Sequence, residues 1–430
     1  ALDLVRGPLL PEHHGAWVEA PRAAADRLAE SLDGLLVEPD VADADLEVAW
    51  RGAEGSVELG EPGASEVAAW VAFHRQDLDA ALAYAEEGAA APAAPERRAS
   101  CLALAGRVLH TQGRLAAADR RLDEAVVVGA GTVREGAAVW LAALRNHQGR
   151  PSEALTLLGA GPSAETVRRQ PFLVPQSLFA RVYALGQLGE VAAAFLVLDE
   201  WRTVLDGMGA AGDRHRPTFH NCSAWLLGAV GVLGDAKGHR RRCLDLAPPG
   251  SEASNHALLD LASAALDAGD EAEAEGWLEG LVATDGPGTT MAWHQRQRLD
   301  LLKSRLARLE GFPTLALDLA ERVATDARAV GALRTAYLAD VQVELVAATA
   351  PEAAESSTDR IERALAGLDE VGGLEAWRAT ARLARATGRE ELWDAARERC
   401  RGLAERSGDW AEMMAAYTAA ELDRLRSGPA

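Results

Sequence analysis

From Ala64 onward, apolar residues recur at i, i+3, i+4 and i+7, and glycines interrupt the pattern at regular intervals. That period predicts amphipathic helices separated by tight turns. In Cys101–Ala125, Leu102, Ala105, Gly106 and Leu109 share one helix face, Gly113 breaks the helix, and Ala118, Leu122 and Ala125 share the next face. The small–large pair Ala118/Leu122 recurs as Ala154/Leu158, Ala194/Leu198 and Ala274/Leu278, following Gly113, Gly149, Gly189 and Gly269 respectively. Counted from Ala81, the small anchors are spaced by 37, 36, 40 and 80 residues, and the last gap holds a degenerate unit around Trp225, Gly234 and Cys243.

The physical reading is direct. Two such helices cannot hide their apolar faces alone, and stacking successive pairs gives a shared core. Alanine lets the second helix approach closely, and the large residue one turn later fills the next interface. No stretch of alternating β-branched residues is long enough for a sheet, so the expected class is all-α: an α-solenoid of antiparallel helix pairs. Pro, Gly and Ser content predicts loops at Glu54–Ser65, Ala91–Glu96, Gly159–Pro171, Ala247–Ser254, Thr284–Thr290 and Ala350–Thr358, and another leading into a helix after Pro217.

On these residues the chain resembles the tetratricopeptide repeat family, most clearly over Ala64–Leu281 and again over Leu374–Leu403. In the latter, Trp377, Thr380, Ala381 and Ala384 take first-helix positions before Gly388. Leu299–Val323 fits less well, because Gly311-Phe312-Pro313 replaces the usual turn. The expected organisation is an atypical helical cap over 1–60, a repeat array over 61–350, and C-terminal repeats over 351–430. Within the cap, Arg6-Gly7-Pro8-Leu9-Leu10-Pro11 and Trp17-Val18 resemble the opening of the bacterial transcriptional activator domain, over about Ala1–Leu36. The later array is similar to the sensor arm of large ATP-binding transcriptional activators. These resemblances imply a non-enzymatic ligand- or protein-binding regulatory module. A freestanding scaffold that assembles protein partners is the alternative.

Charge sharpens the picture. The 430 residues carry 44 Lys and Arg against 65 Asp and Glu, a net charge of -21. That sign opposes general binding to duplex nucleic acid or anionic membrane. Lys237 and Lys303 are the only lysines, so arginine supplies nearly all positive charge. The four cysteines, Cys101, Cys222, Cys243 and Cys400, lack metal or redox spacing and fit buried thiols in a cytoplasmic protein.

Candidate chemistry is sparse. Neither lysine sits in a phosphate-binding loop. Gly207-Met208-Gly209-Ala210-Ala211-Gly212 satisfies the dinucleotide spacing, but helix precedes it where that function needs a strand. His215, His220, Cys222 and His239 match no common zinc pattern. No catalytic residue, metal site or cofactor is expected. Lys237, His239, Arg240, Arg241 and Arg242 form a basic island that could meet phosphate or carboxylate, or could simply cover neighbouring repeats with arginine stems. Trp140, Trp225, Trp277 and Trp377 fall at packing positions and are expected in the core.

The tetratricopeptide resemblance also implies that first helices line a concave groove. Registering on Leu102/Leu109 aims Arg107 and His110 into it, and registering on Trp377/Ala384 aims Arg378, Arg382 and Arg385. Trp70, Phe73 and Tyr183 take corresponding positions in other units, and Arg298, Arg305 and Arg308 can join them in a register ambiguous by one residue. Such a groove suits an acidic peptide or small phosphorylated ligand, unless its arginines only pair with acids of adjacent repeats.

Overall fold

The computed structural model describes Trp50, Ala53, Val57, 63–91, 94–281, 291–351, 354 and 356–427. The segment resembling the transcriptional activator domain, most of the expected cap and the loop Thr284–Thr290 lie outside these residues. Every regular element among the described residues is helical. In chain order they are α1 (Ala64–His74), α2 (Leu78–Ala90), α3 (Pro95–Thr111), α4 (Leu115–Val128), α5 (Gly131–His147), α6 (Pro151–Leu158), α7 (Ala164–Arg169), α8 (Leu173–Gln187), α9 (Val191–Gly207) and α10 (Ala210–Asp213). There follow α11 (Arg216–Ala229), α12 (Leu233–Leu246), α13 (Glu252–Ala268), α14 (Glu271–Glu279), α15 (Ala292–Leu309), α16 (Pro313–Val330), α17 (Leu333–Thr349), α18 (Thr358–Thr387), α19 (Glu390–Glu405) and α20 (Ala411–Ser427). They form two compact units, one of residues 1–144 and 156–177, the other of 145–155 and 178–430.

One turn geometry repeats through both units. At Gly113 φ is 79°, a left-handed value that a side chain disfavours, and the Arg114 amide donates back to Leu109 O at 2.9 Å. The same five-residue closure occurs from Glu190 to Leu185 O (2.9 Å) and from Asp270 to Ala265 O (2.9 Å). The turn around Gly311-Phe312-Pro313 closes identically, Phe312 donating to Ala307 O at 2.7 Å. Its departure from the usual residues therefore leaves the backbone regular. Pro313 opens α16 at a position where the missing N–H has no helical partner to lose.

The small–large anchors lie where the pattern puts them. Ala118, Leu122 and Leu109 are buried together between α3 and α4, and Ala81, Ala154, Ala194 and Ala274 are fully buried. Gly106 shows why small residues are needed here: a Cβ on it would lie 2.5 Å from Leu122 Cγ. Burying a leucine of this kind contributes about 2 kcal/mol, so packing outweighs helix propensity in fixing the pairs.

Three local expectations are corrected. Gly159–Pro171 is not all loop, because Ser163 caps the short helix α7 through the Thr166 amide. The residues after Pro217 are helical, since proline fits the first turn of α11. Trp140, Trp225 and Trp277 are half-buried rather than core, while Trp377 is fully buried. In the second unit, α18 also departs from a stack in which each pair meets only its neighbours. Trp377 Nε1 donates to Ala229 O at 3.1 Å and Arg378 to Gly228 O at 2.8 Å, both at the end of α11.

Candidate functional site

In the first unit, Phe73, Arg107 and Trp140 stand at equivalent places on the first helices α1, α3 and α5, spaced by 34 and 33 residues. The Arg107 guanidinium is sandwiched between the other two, 4.4 Å from the Phe73 ring centroid and 4.1 Å from that of Trp140. Trp70, Ser100, Arg107, Gly136 and Trp140 line a shallow recess beside it. Phe73 and Trp70 are themselves buried, and Trp70 lies edge-on to Phe73 at 6.3 Å. His110, three residues beyond Arg107, is buried too. The structure thus brings together Trp70, Phe73 and Arg107 and adds Trp140, which sequence reasoning had assigned to the core. The repeat period was the signal that could have found it.

The second unit has a polar seam instead. Asp260 and Asp267 lie seven residues apart on α13, and Arg298 and Arg305 repeat that spacing on α15. Asp260 pairs with Arg298, and Asp267 with Arg305 at 2.5 Å. Arg382 of α18 bonds the same Asp267 oxygen, and Arg424 of α20 donates to the Asp267 backbone carbonyl at 2.8 Å. Arg424 also grips Glu421 through both carboxylate oxygens at 2.7 Å. The Arg378 Nε lies 3.9 Å from Glu421. The stripe Arg378/Arg382 therefore meets acids of its own chain, on helices that are not its immediate partners in a pair. Burial pushes the Asp267 carboxyl up, but Arg382, Arg305 and Arg378 outweigh it and hold it well below the usual carboxylate range.

A second knot lies along the same seam. Arg334 pairs with Glu375 and donates to the Tyr183 hydroxyl at 3.2 Å, while Trp225 Nε1 donates to Glu375 at 3.0 Å. Tyr183 packs against Trp225 with ring centroids 4.7 Å apart. Burial opposes the Glu375 charge, yet Arg334 keeps its carboxyl depressed. Nearby, His294 lies between His147 and His256, with ring centroids 5.3 Å from each. Burial lowers the His147 imidazole to about 4 and His294 well below its ordinary value.

The basic island on α12 is split. Lys237 pairs with Glu273 at 2.7 Å, Arg240 turns inward toward Asp260, and Arg241 and Arg242 are exposed. His239 and His220 bring their Nδ1 atoms to 2.9 Å, and burial lowers both imidazoles. Among the described residues no cluster of three or more His, Cys, Asp or Glu could hold a metal ion. All four cysteines are buried, and burial pushes the Cys101, Cys243 and Cys400 thiols up to about 12, away from nucleophilic use. The dinucleotide-like glycines follow helix α9, and Gly212 packs so closely that a Cβ would lie 2.4 Å from Leu205 O. Among the described residues no helix is long and apolar enough to cross a membrane.

No family model matches the chain. No curated protein matches it either. Among solved structures, the TPR domain of P58(IPK) is similar at 15% identity and a TM-score of 0.22, with 89% of this chain and 100% of that chain covered. A score so low carries no weight, and the tetratricopeptide-like helix pairs rest on the turns and anchors described above.

Proposed function

We propose that the chain is a non-enzymatic helical-repeat module that binds an acidic peptide or small acidic ligand, as the sensing part of a cytoplasmic transcriptional regulator. The observation that carries the binding role is the Phe73/Arg107/Trp140 ladder beside its recess. Two aromatic rings hold one guanidinium in place, so little side-chain freedom is lost when a carboxylate meets it. The half-buried Trp140 supplies apolar surface for the residue next to that carboxylate. The regulatory role is supported by the N-terminal resemblance and by a net charge that leaves DNA contact to another part of a regulator.

The test is a display library of peptides rich in Asp, Glu and aromatic residues, followed by calorimetry with the selected binder. Arg107→Ala should weaken that binder at least tenfold with helicity unchanged. Failure to select any acidic binder, or equal binding by the variant, contradicts the reading.

A further inference from the structure

We infer that the second unit takes a compact ligand bearing two phosphoryl groups, held by the guanidiniums of Arg305, Arg308, Arg378, Arg382 and Arg424. This site is separate from the aromatic ladder and does not depend on it.

The argument begins with charge. Arg305, Arg378, Arg382 and Arg424 gather around two carboxylates, Asp267 and Glu421, and Arg308 lies close enough to Arg382 to be repelled by it, which leaves a surplus of three positive charges in a chain of net charge -21. One Asp267 oxygen already accepts from both Arg305 and Arg382. Glu421 is likewise occupied by Arg424. Two carboxylates cannot offset the charge of five guanidiniums.

Arg308 makes the mismatch concrete. Its Nε is shielded from solvent and has no hydrogen-bond partner, and the same holds for Arg378 Nε. Burial lowers the Arg308 guanidinium, and repulsion from Arg382 and Arg385 lowers it further. Arg305 falls to about 10, through burial and through Arg382, despite its bond to Asp267. Crowding like charges in a half-buried place costs stability unless an anion answers them.

Size and charge select the ligand class. The side chains of Arg305, Arg378 and Arg382 are only 15%, 16% and 28% exposed, so access suits a small anion better than an extended chain. Two phosphoryl groups carry roughly three to four negative charges, matching the surplus. Guanidiniums meet phosphoryl oxygens in parallel pairs of hydrogen bonds.

The experiment uses the full chain with sodium pyrophosphate as probe, without divalent metal, read by calorimetry and thermal melting. Orthophosphate and citrate are the comparators, and Arg308→Gln is the main variant. Pyrophosphate should bind and raise the melting temperature, with both comparators at least tenfold weaker. Arg308→Gln should weaken pyrophosphate about tenfold, yet melt no lower than the parent in the absence of anion, since it loses repulsion and no acid partner. Arg241→Gln, which makes the same charge change on exposed α12 surface, should bind as the parent does. No pyrophosphate binding, equal binding of citrate, or equal loss in Arg308→Gln and Arg241→Gln would overturn the inference.

Discussion

The two units stabilise helix arginines by different physics. In the first, Arg107 rests between Phe73 and Trp140, held by ring faces. In the second, Arg298, Arg305 and Arg382 rest on Asp260 and Asp267. A cation between rings is positioned by their faces. A cation on a carboxylate has spent its charge, and only a local surplus of guanidiniums leaves anything to recognise. The repeat scaffold fixes position, while the neighbours one repeat away decide what that position can bind.

That contrast can be broken most severely at its carboxylate end. Asp267→Ala removes the acid shared by Arg305 and Arg382 and should cost roughly 3 kcal/mol in a denaturant melt, because buried like charges are left facing each other. A cost below about 1 kcal/mol would mean the seam is solvated. Ala118→Glu probes the scaffold under the other end. A carboxylate at a fully buried position between α3 and α4 should cost several kcal/mol, and an unchanged melting point would show the register to be wrong.

Acid should weaken the second unit next. His147, His220 and His294 all lie in the second unit and are held neutral by burial. Their folded values lie below the ordinary 6.5, so the unfolded state takes up more protons as pH falls. Stability is full above pH 6.5 and should decline by a few kcal/mol between 6.5 and about 4. Melts across that range that shift only below pH 4 would place the loss on carboxylates instead. The smallest effect belongs to the ladder: Arg107→Ala should destabilise by about 1 kcal/mol, the size of a partly exposed cation–π contact.

Much of this was legible in the residues. Helix pairs, turn glycines and the anchors at Ala118/Leu122 follow from a period that backbone geometry dictates. The stripe Arg378/Arg382/Arg385 could be read from helical spacing alone. Its partners could not, because Asp267 lies 115 residues from Arg382 and only the tertiary course of α18 brings them together. Periodicity also misjudged Trp140, Trp225 and Trp277, because it finds a helix face but not how far neighbouring helices cover it. The fit of Gly311-Phe312-Pro313 to the common turn was hidden for another reason, since the turn is fixed by backbone closure rather than by side-chain identity.

The most direct measurement is a crossed titration of two variants against two ligands. Arg107→Ala should lose at least tenfold in affinity for the selected acidic peptide and keep its affinity for pyrophosphate. Arg308→Gln should do the reverse. If either variant lost both ligands, or neither lost one, the division of recognition between a ring-held arginine and a guanidinium surplus would be contradicted.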